Sequence, residues 1–140
     1  MRLLLDTHVL LAVFDDRTSA LTPGLRRLLA APDHAFHVSV ASLWEIAIKY
    51  RLGKLTLSVA LDRLPEAVES LGAGLIPIIA PHVLRAVEPE PATRDPFDRL
   101  LLAQCATDGL RLVTLDRALV DHPLAARPDP APDPSPLSNP

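Results

Sequence analysis

Asp6, Glu45, Asp98 and Asp116 stand at the ends of apolar runs, where acids have no packing role of their own. Asp6 follows Leu3-Leu4-Leu5, and Asp116 follows Leu112-Val113-Thr114-Leu115. Asp98 lies at the start of a long apolar stretch, and Glu45 in the first half of another. Brought together, four carboxylates would repel one another and raise their pKa values, so such a cluster implies a cation. An oxygen-only set suits Mg²⁺, or Mn²⁺, hard ions that bind through a few carboxylates and keep waters and substrate phosphates as further ligands.

Each acid also has a plainer reading as a helix-end residue, and the sequence leaves both open. Asp6 can cap a helix from Thr7, and Glu45 can answer Ser42 in a Ser-x-x-Glu capping box. Asp98 sits in a first helical turn, where any acid suits the helix dipole, and Asp116 can cap a following turn. Asp95 reads as a cap, because Asp before Pro96 is a strong helix-start signal. His8, His34, His37, His82 and His122 show no zinc-like spacing. Cys105, inside an apolar helix, reads as a packed thiol.

The elements that must position these acids alternate between strand and helix. Leu3-Leu4-Leu5 reads as a buried strand and Thr7–Phe14 as a helix. A helix from Pro23 to about Ala31 and a strand from Phe36 to Val40 follow. A helix capped by Ser39 or Ser42 then runs to about Leu52, with Gly53 as its stop. Its Leu43, Ile46, Ala47 and Tyr50 stripe, with Trp44 and Ile48 on a second side, predicts a central helix. Further on come a helix over 61–71, a strand over 75–78, a short helix over 81–87, a helix from Pro96 to Asp108 ended by Gly109, a strand over 110–114 and a helical turn over 116–120. This order predicts an α/β fold, a central parallel sheet with helices on both faces. In such a sheet the carboxyl ends of strands and the amino ends of helices share one edge, where ligands bind. Asp6, Asp98 and Asp116 are expected to meet there, with Glu45 directed at them.

The ordered motifs are similar to those of a known family. Leu4-Leu5-Asp6-Thr7-His8, Ser42-Leu43-Trp44-Glu45-Ile46-Ala47-Ile48-Lys49 with Gly53-Lys54-Leu55, Asp95-Pro96-Phe97-Asp98-Arg99-Leu100-Leu101-Leu102-Ala103-Gln104, and Val113-Thr114-Leu115-Asp116 resemble the PIN-domain ribonuclease toxins of the VapC type. The resemblance runs from about Leu3 to Asp121. It implies a PIN-like fold and a metal-dependent endoribonuclease, the toxin of a type II toxin–antitoxin system. It also implies a homodimer, neutralised by a small antitoxin protein through which alone DNA is contacted. By motif position Asp6 and Asp98 are the expected Mg²⁺ ligands, with Glu45 and Asp116 completing the site. In-line attack by water on single-stranded or loop RNA would leave a 3′-hydroxyl and a 5′-phosphate. Lys49, Lys54 and Arg99 are candidates to hold RNA phosphates, or else are solvated charges or partners of the acids. Two departures stand out: Thr93 where the family often has His, and Leu124-Ala125-Ala126 in place of a full last strand. A non-catalytic PIN-like module that binds RNA or protein is the alternative. A phosphatase of the haloacid dehalogenase type would need a second Asp two residues after the first, where His8 stands.

Length and composition agree with one domain. The chain has 140 residues, 49% hydrophobic and 22% charged, and no apolar stretch long enough for a membrane span. Asp6 and His8 interrupt the amino-terminal apolar run, and no small-residue cleavage site follows, so a signal peptide is not expected. One cysteine excludes an internal disulfide, and a cytoplasmic protein is expected. The net charge of −3 neither favours nor excludes a polyanionic substrate, since setting the four acids aside turns 14 basic against 17 acidic residues into 14 against 13. Residues 1–126 form the expected nuclease domain. Residues 127–140, with six of the 15 prolines, are expected to be a disordered tail. Leu10, Leu11, Val13 and Phe14 offer apolar surface for the dimer.

Overall fold

Leu3, Leu4 and Leu5 are the last three residues of strand β1 (Arg2–Leu5), which is paired on both edges and covered on both faces in a computed structural model that describes residues 1–128. The Pro-rich segment expected from Arg127 onward lies outside the described residues, apart from Arg127 and Pro128. Burial on both faces is why β1 reads as a continuous apolar run instead of an alternating one. Its neighbours are β2 (Ala35–Ser39) and β4 (Arg111–Val113), and β3 (Gly74–Ile76) lies beyond β2. All pairings are parallel, in the order β3-β2-β1-β4, with Leu4 opposite His37 on one side and Leu112 on the other.

Parallel neighbours require crossovers, and helices supply them. Helices α1 (Thr7–Phe14) and α2 (Pro23–Ala30) join β1 to β2, while α3 (Val40–Arg51) and α4 (Leu64–Ser70) join β2 to β3. Helices α5 (Ala80–Leu84) and α6 (Pro96–Asp108) join β3 to β4. Successive residues of β1 point to opposite faces. Leu3 and Leu5 pack with Val9, Leu10, Leu25, Leu28, Val38, Ile46 and Val68, and Leu4 packs with Leu101, Leu102, Cys105, Leu110, Leu112 and Leu119. Both faces of the sheet are therefore covered. Helix α6 is held by its caps: Asp95 Oδ1 accepts from Phe97 N at 2.8 Å, and Gly109 takes the left-handed conformation, φ 69°, that ends it. His82 fastens α5 to α6, its Nε2 lying 2.9 Å from Asp108 Oδ2. Among the described residues no helix is long and apolar enough to cross a membrane.

Four details differ from the expectations. Strand β3 stops at Ile76, because Pro77 has no N–H to continue a ladder. The expected helical turn over 116–120 is present, with Leu119 N and Val120 N both donating to Asp116 O, but it does not extend into a helix; further turns bring the chain back so that Leu112 N donates to Leu124 O at 2.8 Å and Ala126 N donates to Leu112 O at 2.7 Å. Segment 124–126 is thus a vestigial strand on the outer edge of β4, bridged at Ala125. Trp44 is 59% exposed, so α3 is not enclosed on its second side; it reaches the two cores through Ile46 and the small Ala41. Leu10 is buried and the half-buried Leu11 and Phe14 pack against the same core, so these three give much of their apolar surface to the interior, while Val13 is half-buried.

Candidate active site

The order β3-β2-β1-β4 makes the chain wind outward from β1 in one direction and then cross to its other side. Sheets of this kind bind ligands in the crevice beyond the carboxyl ends of the strands at such a reversal point, here those of β1 and β4. Asp6 and Asp116 lie at this crevice. The backbone N–H of Asp6 donates to Val113 O at 3.0 Å, which brings the two strand ends side by side. Asp6 Oδ1 accepts from Val9 N at 2.9 Å, so Asp6 does cap α1. The same carboxylate also accepts a hydrogen bond from Thr114. Thr114 Oγ1 in turn accepts from Asp116 N at 3.0 Å, and Asp116 Oδ1 accepts from Ala118 N at 2.9 Å. Capping and site formation are compatible here, because a carboxylate has two oxygens and several lone pairs.

Asp98 is placed by the first turn of α6. Its backbone N–H is taken by Asp95, and its Oδ2 accepts from Thr93 Oγ1 at 3.3 Å. Burial pushes its carboxyl up to about 6, and repulsion by Asp95, Asp116 and Asp6 adds to the shift. Asp6 is also pushed above the usual carboxylate range, first by burial; Asp116 adds to the shift, and the Thr114 hydroxyl, the Val9 amide and the charge of His8 oppose it. Three aspartates distant in sequence thus share one electrostatic environment. No ion pair among the described residues involves any of them.

Glu45 is arranged differently. Helix α3 is capped by Ser39, whose Oγ accepts from Ala41 N at 3.0 Å, so Glu45 lies six residues beyond the cap and forms no capping box with Ser42. Its carboxylate is 5% exposed, receives the Thr7 hydroxyl at 2.7 Å, and pairs with Lys49 Nζ at 2.6 Å. The Thr7 hydroxyl is also 3.0 Å from Ser42 Oγ, which fixes α1 against α3 beside Asp6.

The basic candidates fare unequally. Lys49 is committed to Glu45. Arg99 spends its guanidinium on the preceding loop, donating to Thr93 O at 2.8 Å, Pro91 O at 3.3 Å and Glu90 Oε1 at 3.2 Å. Lys54 is exposed, and its side chain has no hydrogen-bond or ion-pair partner among the described residues. The sequence reading missed three hydroxyls, those of Thr7, Thr93 and Thr114, all buried and each bonded to one acid. The signal was a Thr within five residues of Asp6, Asp98 and Asp116.

The donors suit a hard divalent cation: they are carboxylate oxygens, partly buried, mutually repelling and unpaired with any Lys or Arg. Among the described residues no three His, Cys, Asp or Glu side chains close around a single point, so the aspartates border the crevice without forming a ready-made cage. The PIN-domain family model matches residues 3–123, an interval that contains all four acids. The chain belongs to the PIN-domain family. PIN domains are generally nucleases, often toxins, and the parallel sheet covered by helices on both faces is the PIN-like fold. No curated protein matches this PIN domain.

Proposed function

We propose that this PIN domain is a divalent-metal-dependent endoribonuclease and the toxin, of VapC type, of a type II toxin–antitoxin pair. The observation that carries the nuclease reading is that Asp6, Asp98 and Asp116 act on one another electrostatically with no Lys or Arg paired to them among the described residues, His8 alone opposing the upward shift of Asp6 by its charge. The VapC reading rests on the ordered motifs around Asp6, Trp44-Glu45-Ile46, Asp95-Pro96-Phe97-Asp98-Arg99 and Asp116. Asp6 and Asp98 are the proposed Mg²⁺ or Mn²⁺ ligands, with Asp116 and Glu45 in support. A divalent ion there supplies a Lewis acid for the scissile phosphodiester and makes water an effective nucleophile near neutral pH. Thr114 and Thr93 hold Asp6 and Asp98 in place, and Glu45, with its charge balanced by Lys49, orients groups beside Asp6. Lys54 is the proposed phosphate contact, while Arg99 acts through the loop that carries Thr93.

The partners follow from the same reading: single-stranded or loop RNA as substrate, a small antitoxin protein, and a second copy of the chain, in the cytoplasm. For the homodimer, support comes from Leu71, Leu75, Ile79, Val83 and Leu84, each at least 40% exposed along β3 and α5. A non-catalytic RNA- or protein-binding module is the alternative reading, in which the acids hold no metal. Incubating the full chain with single-stranded RNA and Mg²⁺ separates the two. Cleavage that stops with chelator and in Asp6→Asn supports the nuclease; RNA bound and left intact by the wild type with Mg²⁺ or Mn²⁺ would establish the binding module.

A further inference from the structure

Trp44 and Phe97 form an aromatic pair for which the core has no use. Their ring centroids are 5.5 Å apart and their planes meet at 72°, an edge-to-face contact between α3 and α6. Trp44 is the chain's one tryptophan, and 59% of it is exposed. Whichever ring lends its edge, the contact covers at most one face of the other, and the exposure of Trp44 leaves a π-face open to solvent. Each member directly precedes an acid, Trp44 before Glu45 and Phe97 before Asp98, so the pair spans the two helices that bring those acids toward the crevice. Arg94, three residues before Phe97, is exposed and has no hydrogen-bond or ion-pair partner among the described residues. An exposed indole, and an exposed guanidinium on the segment leading into its partner Phe97, match the chemistry of a single-stranded nucleic acid, whose bases stack and whose phosphates carry charge.

We propose that Trp44, supported edge-on by Phe97, is the stacking platform for a base of the RNA strand whose phosphodiester lies at the acidic crevice. The platform sets which strand conformation enters: an unpaired nucleotide can stack on Trp44, and a base held in a duplex cannot. Phe97 holds the indole upright, and Arg94 takes a flanking phosphate. This assignment rests on the ribonuclease reading above, and its test is read by a signal that does not require cleavage.

The lone tryptophan makes the test direct. Short single-stranded RNA titrated into the full chain with chelator present should change Trp44 fluorescence and saturate it. An abasic strand of equal length and charge should leave the fluorescence unchanged. In steady-state cleavage Trp44→Ala should raise KM about 5- to 150-fold, the range for loss of one stacked base, with kcat within a few-fold of wild type. Trp44→Phe should recover most of the loss, and circular dichroism of each variant checks its fold. Equal responses to abasic and intact strands, or an unchanged KM in Trp44→Ala, would overturn the platform. So would a loss of dimer mass in Trp44→Ala with RNA affinity intact, which would assign the pair to a protein contact. Saturating fluorescence without any cleavage would retain the platform and sink the nuclease; cleavage without a fluorescence response would do the reverse.

Discussion

Two acidic corners meet at the carboxyl edge of this sheet, and the protein treats them in opposite ways. Asp6, Asp98 and Asp116 have no ion pair with Lys or Arg among the described residues, and the carboxyls of Asp6 and Asp98 are pushed upward by burial and by neighbouring aspartates, with His8 opposing the shift at Asp6. Glu45, as deeply buried as Asp6, is satisfied by Lys49 at 2.6 Å and Thr7 at 2.7 Å. A fold selected for stability alone would pair all four, since an uncompensated buried charge is costly. Burial and like charge destabilise the ionised form of the first corner, and under the proposed function a divalent cation would relieve it. The second is a finished structural element that also faces the site.

Replacing the acids tests that contrast most strongly. Asp98→Asn should lower RNA cleavage at least ~1,000-fold, about 4 kcal/mol of barrier, while the metal-free protein melts at the same or a higher temperature. Asp6→Asn should behave alike in activity, since Asn still caps α1. Equal loss of stability and activity in Asp98→Asn would contradict the idea of a strained corner. Glu45→Gln should lower cleavage ~100-fold, about 2.7 kcal/mol, and here the melting temperature should fall, by the equivalent of up to ~1 kcal/mol. The reason is that Lys49 loses its partner while no repulsion is relieved. A stabilised Glu45→Gln would erase the difference between the corners.

The same contrast has a pH signature. The Asp98 carboxyl rises from 3.8 to about 6 on folding. The folded protein therefore holds the proton more tightly than the unfolded chain, and stability from this group, complete below pH 3.8, is lost as pH rises through 6. The melting-temperature advantage of Asp98→Asn over wild type, without metal, should grow from pH 4 to pH 7 and then level off. A constant difference would show that Asp98 is not perturbed. The smallest effect is expected at Thr93. Thr93→Val removes the hydroxyl given to Asp98 and should cost about 0.5 to 1.5 kcal/mol, with Thr93→Ser near wild type.

Much of this arrangement was legible in the residues. Three consecutive leucines announce a two-faced inner strand, and Asp95-Pro96 with Gly109 brackets α6. Strand order is not written in any local motif, but parallel α/β winding already puts Asp6, Asp98 and Asp116 on one edge. What stayed hidden depends on packing. A choice between Ser39 and Ser42 as cap requires knowing that Ser42 faces Thr7. Trp44 resembles a core residue on a helical wheel, and only the crossing of α3 and α6 shows that it stays outside against Phe97. The ion pair that compensates Glu45 has the ordinary i, i+4 spacing, common on solvated faces, and gains its meaning from burial alone.

The claim that the aspartate corner awaits a cation is tested most directly by calorimetric titration of the full chain with Mn²⁺ or Mg²⁺ at pH 6 and pH 8, in buffers of differing ionisation enthalpy. With Asp98 titrating near 6, binding should release a substantial fraction of a proton at pH 6 and close to none at pH 8, and Asp98→Asn should abolish both the release and the tight binding. Binding that is unchanged in Asp6→Asn and Asp98→Asn, with no proton released at pH 6, would contradict the account.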